Sequence, residues 1–269
     1  MQVMLVTKGH PFDKGPFFAL FDDLSEIDYT HVEQPAARTF FDPERAADYD
    51  AFVCYDMPGI HFTPEGPQYE APPEAFRQGF LALLERGCGF VFLHHALAGW
   101  PAWPEFSEII GGRFLYLPDT LRGEARPDSG YRHGITHEVR VVDSCHPVTA
   151  GLPASFSITD ELYLAAIFED DVHPLLVSDY RFERDNFYSA ARAVRDGRMY
   201  DNEGWDHPPG SNLIGWVKRY GSSPICYLQC GDDPVAWASP EFQRLLGNAI
   251  RWVGSKEAHA WARAPATEK

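Results

Sequence analysis

Two adjacent histidines, His94 and His95, close the apolar run of GCGFVFLHHALAGW (Gly87–Trp100). Imidazole at the end of a strand suits proton transfer or metal ligation near neutral pH. A polar ring placed there costs desolvation unless something partners it, so the pair is either satisfied structurally or set there for chemistry. Neighbouring side chains of an extended strand point to opposite faces, so at most one of the two faces outward, and His94 is the one assigned to the crevice. No thiol or hydroxyl stands at this turn, and Cys88 lies at the wrong end of the strand. The nucleophile of a glutamine amidotransferase or a cysteine hydrolase is therefore missing.

Further candidates follow the same logic. His133 and His137 in HGITH are four residues apart, a spacing that places both on one face of a helix or strand and is compatible with a shared metal; two solvent-facing histidines on an edge strand are the alternative. Asp160 and Glu161 in SITDELY are adjacent acids able to share proton transfer or to anchor sugar hydroxyls, or else to form a solvated turn. Trp100, Trp103, Trp205 and Trp237 fall in loops, where indole rings stack on the apolar face of a sugar while groups such as Tyr163 and Asp232 take its hydroxyls. Trp216 and Trp252 read as core. A divalent metal, zinc or manganese, would fit His94, His133 or His137, without one being singled out.

These residues need a frame. VMLVT (Val3–Thr7), Ala51–Tyr55, Gly89–Leu93, HPLLVSDY and SPICYLQCG read as buried strands, and HGITHEVRVVD alternates as a strand does. Helical spacing recurs around Phe17–Leu24, at Phe76–Leu84, at Pro104–Ile110, and in the last helix, where Ser239 is the cap and Pro240 the first residue. Apolar strands separated by helices predict an α/β fold: a doubly wound, mostly parallel sheet, flavodoxin-like or class I glutamine amidotransferase-like, with helices on both faces. Ligands of such sheets sit outside the carboxyl ends of the strands, which here carry His10, Asp56, His94, Asp232 and Asp233. One domain is expected over residues 1–254, with an excursion at 181–211 that reads as a lid, an oligomer contact or a plain surface excursion, and a flexible tail over 255–269.

Bulk properties narrow the partners. A net charge of −16 over 269 residues disfavours nucleic acid and anionic membrane. No apolar run approaches the roughly 20 residues of a membrane span, and no basic leader precedes the first strand, so a cytoplasmic location is expected. Five cysteines without a CxxC pair are expected to be reduced.

Taken jointly, VTKGHPF, GFVFLHHALAGW, HPVTAGLPASFSITDELY and YLQCGDDPVAWASPEFQRLLGNAIRWV resemble the trehalose-utilisation, or ThuA-like, family over most of residues 1–253. The resemblance implies a class I glutamine amidotransferase-like fold with histidine at the nucleophile position, and a role in sugar catabolism. Its substrates would be trehalose-like disaccharides or 3-keto-glycosides made by partner oxidoreductases. The family's turn histidine falls on His94, its first-strand histidine on His10, its His-Pro on His146–Pro147 and its Asp-Glu-Leu-Tyr on Asp160–Tyr163. Where the family usually carries Gly-His-Asp, this chain has Gly231-Asp232-Asp233, and the 181–211 excursion is longer than usual. The expectation is acid/base isomerisation or glycosidic cleavage of an oxidised sugar by a homo-oligomer, with His94 as acid or base and Asp160 or Glu161 as its partner. The rivals are a non-catalytic sugar-binding or regulatory module and a structural subunit of a sugar-oxidising complex.

Overall fold

The computed structural model describes residues 1–265. Five strands, Asp28–Glu33, Gln2–Lys8, Ala51–Asp56, Gly89–Leu93 and Ser223–Leu228, lie side by side in that order and run parallel. The sheet continues antiparallel through Leu213–Tyr220, His173–Ser178, Gly130–Val141 and Ser155–Leu164. The helices are α1 (Lys14–Asp22), α2 (Glu74–Arg86), α3 (Pro104–Ile110), α4 (Ala190–Asp196), α5 (Pro234–Trp237), α6 (Pro240–Val253) and α7 (Lys256–Arg263).

Both faces of the parallel strands are apolar because both are covered. Val3 and Leu5 join Phe17, Leu20, Leu246 and Ile250 of α1 and α6 in one core. Met4 and Val6, one residue out of phase, join Phe76 and Phe80 of α2 and Ile109 of α3 in the other. Each such side chain, at or near complete burial, stabilises the fold by about 1.5–3 kcal/mol. This is the doubly wound α/β architecture expected from uninterrupted apolar strands, whereas the alternation in Gly130–Val141 belongs to the antiparallel half, where one face meets solvent.

Residues beyond 254 depart from expectation. Ser255 caps α7 by accepting from the Ala258 N–H, and Ala258 and Ala262 are buried, so the polar composition of this stretch marks the outer face of a docked helix rather than a flexible tail. Residues 266–269 of the expected tail lie outside the described residues. The excursion at 181–211 is held from within. The buried Asp128 carboxylate accepts from the Ser189 hydroxyl (2.6 Å), the Ala191 N–H (2.9 Å) and the Trp205 indole N–H (3.0 Å). Tyr188–Ser189 also pairs with the long strand at Gly130–Tyr131.

Candidate functional site

The strand Gly89–Leu93 ends where the chain must turn sharply into a 3₁₀ segment, His94–Ala98. His94 adopts φ +45°, a left-handed conformation that costs a non-glycine residue roughly 1–2 kcal/mol. That turn breaks the strand alternation, so neither histidine is exposed. His95 packs against Tyr55 (ring centroids 4.2 Å apart) and His10 (4.9 Å), and burial, with the neighbouring His10 and His94, holds it well below the ordinary imidazole range. His94 points instead at a cluster of oxygens.

The His94 ring is held at both nitrogens. Nδ1 lies 2.6 Å from the carbonyl oxygen of Gln229, which can only accept, so Nδ1 carries a proton and Nε2 is the reactive position. Around Nε2 converge Glu161 Oε2 (3.0 Å), Asp232 Oδ1 (3.2 Å) and the Tyr163 hydroxyl (2.6 Å). Burial opposes charge on the ring, and the carboxylates of Asp232 and Glu161 override it, raising the imidazole well above its usual value. Burial likewise opposes the Asp232 carboxylate, but the imidazoles of His94, His10 and His133 hold it well below the ordinary range.

Strands far apart in the sheet supply these oxygens. Glu161 and Tyr163 stand on the edge strand Ser155–Leu164, five places from Gly89–Leu93 in strand order. The edge is tied back by the Tyr163 N–H donating to the Gln229 side chain (2.9 Å) and by Asp160. The Asp160 carboxylate accepts from the backbone N–H groups of Glu161 (2.8 Å), Gly231 (2.6 Å) and Asp232 (3.1 Å). Gly231 sits at φ +115° with its would-be Cβ 2.6 Å from Phe242, so only glycine lets the chain swing Asp232 into place. Burial pushes Asp160 up to about 7, against the His94 charge and these donors.

A bulge decides the fate of the HGITH pair. The register of Gly130–Val141 against the edge strand shifts between Arg132 and Ile135, with Gly134 at φ +64°. His133 is thereby aimed at the cluster, its Nδ1 3.0 Å from Glu161 Oε1 and 3.9 Å from Asp232 Oδ2. His137 is instead buried with its Nδ1 2.9 Å from the Ser178 hydroxyl. The two share no ligand; the four-residue spacing fails because the inserted residue breaks the period of two.

A cavity of about 150 Å³ opens over this cluster, lined by His10, His133, Glu161 and Tyr163 on the polar side and by residues such as Phe114 and Met199 on the apolar side. The excursion supplies one wall, through Ala190, Ala193 and Val194 of α4. His94 itself is fully buried behind Glu161, Tyr163 and Asp232 rather than open to solvent. His10 is partly buried, and burial lowers its basicity against the pull of Asp232.

The structure thus gathers His94, His10, Glu161, Tyr163 and Asp232 at one point and places Asp160 beneath them as the acceptor that ties the strands together. It does not bring the tryptophans there. Trp100 is buried against Phe76 and Arg38, Trp103 is core with its N–H near Glu105, and Trp205 is held by Asp128. Trp237 is buried too, donating its N–H to the Gly231 carbonyl (2.8 Å) and so bracing the turn that carries Asp232. None of the four offers a face to a sugar; loop position in the sequence did not mean exposure, because these loops pack onto the sheet. Sequence reasoning offered His133 only as a possible metal ligand, alone or paired with His137, and gave no role to Gln229. Gly134 was the one local signal for the bulge that redirects His133.

Comparison with known proteins gives a consistent result. A family model described as ThuA, trehalose utilisation, matches residues 4–253. No curated protein matches the sequence significantly. The solved structures that resemble this chain include a ThuA-like protein from Parabacteroides merdae (18% identity, 94% of this chain and 90% of that one, TM-score 0.66). Another is a ThuA-like protein from Bacteroides uniformis (20% identity, 95% and 91%, TM-score 0.62). A third is a cytoplasmic protein from Salmonella typhimurium LT2 (13% identity, 94% and 97%, TM-score 0.55). At these identities the likeness establishes the shared fold. Among the described residues no helix is long and apolar enough to cross a membrane.

Proposed function

Since the chain belongs to the trehalose-utilisation (ThuA) family, we propose that it is a cytoplasmic enzyme of carbohydrate catabolism acting on a disaccharide or 3-keto-glycoside by proton transfer. One observation carries this reading: a single carboxylate, Glu161, is shared by a cavity-facing imidazole, His133 (3.0 Å), and a buried one, His94 (3.0 Å). A carboxylate 3.0 Å from His133 Nδ1 favours a proton on that nitrogen and leaves the other to take up the substrate proton. His94, anchored on the Gln229 carbonyl, acts as the positioning residue behind Glu161 and Asp232.

The chemistry follows from the substrate class. A ketone next to a ring C–H acidifies it, and His133 removes that proton to leave an enolate. Return of the proton to the other face epimerises the carbon. Departure of a β-placed glycosidic oxygen, protonated by a neighbouring acid such as His10, instead gives an enone and a free sugar. Neither route needs an oxidant; the ketone is supplied beforehand by an alcohol-oxidising reaction.

The test is solvent exchange on a 3-keto-disaccharide in deuterated water, followed by proton NMR. Wild type should incorporate deuterium beside the carbonyl or release free sugar, and His133→Ala and Glu161→Gln should each slow this by roughly 10²–10⁴-fold. Sugar binding without exchange or cleavage would refute the enzyme reading and leave a binding module on an amidotransferase-like scaffold.

A further inference from the structure

We propose that His94 Nε2, Glu161 Oε2 and Asp232 Oδ1 form a binding site for one divalent first-row transition cation. The site extends the proposed function by naming the charge at its centre, and it stands on geometry that is independent of any substrate.

The donor spacing is that of a coordination shell. Ligands bound at about 2.0–2.2 Å and at right angles or tetrahedral angles to one another lie roughly 3.0–3.5 Å apart. Nε2 is 3.0 Å from Glu161 Oε2 and 3.2 Å from Asp232 Oδ1, and one donor atom from each of the three residues can be chosen so that all lie within 4.8 Å of one another. The ring is prepared as a ligand. A metal-bound histidine donates its other N–H to a carbonyl or carboxylate, which fixes both tautomer and orientation, and here the Gln229 carbonyl takes that role at 2.6 Å. The carboxylates are placed as well: the second oxygen of Glu161 lies 3.0 Å from His133 Nδ1, and the backbone N–H groups of Glu161 and Asp232 donate to Asp160.

A proton alone satisfies this cluster poorly. A single Nε2–H faces three oxygens, those of Glu161, Asp232 and Tyr163, and can make a good bond to one of them at a time. Asp232 Oδ1 is left buried without a hydrogen-bond partner. Among the described residues no Lys or Arg pairs with Glu161 or Asp232, so two largely buried carboxylates are compensated by imidazole alone. A divalent cation at the focus of these atoms neutralises both and engages all three donors. Imidazole with two carboxylates, and no thiolate, is the donor set of manganese, zinc or ferrous iron rather than of a soft metal.

The experiment is a titration of the full-length protein, dialysed against chelator, with MnCl₂ and separately with ZnCl₂ by isothermal calorimetry. One ion per chain is expected to bind. Removing even an outer partner of a metal ligand costs about 10–100-fold in affinity, so Asp232→Asn and Glu161→Gln should each weaken binding by more than about 100-fold. Asp143→Asn, in a surface pair with His173, should leave it unchanged. The manganese-loaded protein should show electron spin-echo modulation from a coordinated nitrogen that His94→Gln removes. Absence of stoichiometric binding of either ion by wild type overturns the proposal whatever the variants do, as does unaltered affinity in folded Asp232→Asn and Glu161→Gln. Tight binding by a protein that neither exchanges nor cleaves the keto-disaccharide would uphold the metal site and refute the function proposed above.

Discussion

Asp160 is where structure and chemistry make different demands on one residue, and Asp160→Asn separates them. Its two oxygens accept three backbone N–H groups, from Glu161, Gly231 and Asp232, and the residue is 1% exposed. At about pH 8, where the Asp160 carboxyl is mostly ionised, hydrogen bonds to it are worth roughly 1.5–3 kcal/mol each, so their simple sum is an upper bound of about 5–9 kcal/mol. Asparagine keeps one oxygen and turns an amide N–H₂ toward donors, which leaves one or two buried N–H groups unsatisfied. We therefore expect a loss of about 3–5 kcal/mol, in the range seen when a buried charged network is broken. For a chain of this size that lowers the melting temperature by about 10 °C. The measurement is a urea titration followed by fluorescence and circular dichroism, with a thermal melt in parallel. Because the same bonds hold Glu161 and Asp232 in place, sugar turnover should fall with stability. A variant that melts within about 2 °C of wild type yet has lost turnover would refute this reasoning and make Asp160 a participant in the reaction rather than the anchor of the turn.

Two further predictions follow from buried groups. Trp100→Phe should lower stability, by less than the ~3–5 kcal/mol typical of truncating a buried aromatic to alanine, and should leave KM for the sugar unchanged, since the ring is packed on Phe76 and Arg38; a raised KM at unaltered stability would refute its core role. Burial pushes the Asp56 carboxyl up to about 7, against the hydrogen bond from Gln34. With the folded value above the unfolded one, the native state binds the extra proton. Its contribution is therefore fully present below about pH 4 and is lost as pH rises through 7, by up to about 4 kcal/mol. Asp56→Asn should accordingly be more stable than wild type at pH 8, with the difference shrinking toward pH 4 in urea titrations; a difference independent of pH would show that Asp56 is not the group responsible.

The parallel core was legible in the sequence because the signal is local and redundant. Val3–Val6, Ala51–Tyr55 and Gly89–Leu93 are apolar without interruption, which only a strand covered on both faces tolerates, and the Ser239–Pro240 start of α6 carries its own cap. The carboxyl ends of those strands and of Ser223–Leu228 then pointed to His10, His94 and Asp232 without further information. What was not legible depends on two kinds of long-range event. The edge strand returns over the sheet because Asp160 and Tyr163 bond the loop after Ser223–Leu228, a pairing of residues 66 to 72 positions apart that no periodicity encodes. The tryptophans are aromatic residues in irregular segments, and whether such a ring faces water is decided by what packs on it rather than by its own surroundings in sequence.

The bulge at Arg132–Ile135 shows the same point at the scale of one residue. A regular strand would place His133 and His137 on one face; the inserted residue, with Gly134 at φ +64°, sends one to Glu161 and the other to Ser178. The left-handed turn at His94 acts likewise, since a strained φ at the end of a central strand is what points Nε2 at the carboxylates instead of into the sheet–helix core. Strain of roughly 1–2 kcal/mol persists in a fold only when surrounding bonds over-determine it. Here they do: the Tyr227 hydroxyl donates to the His94 carbonyl (2.9 Å), and Nδ1 is held by Gln229. In the two places where local regularity fails, the departure serves one centre, and the side chains it redirects are the two imidazoles that share Glu161.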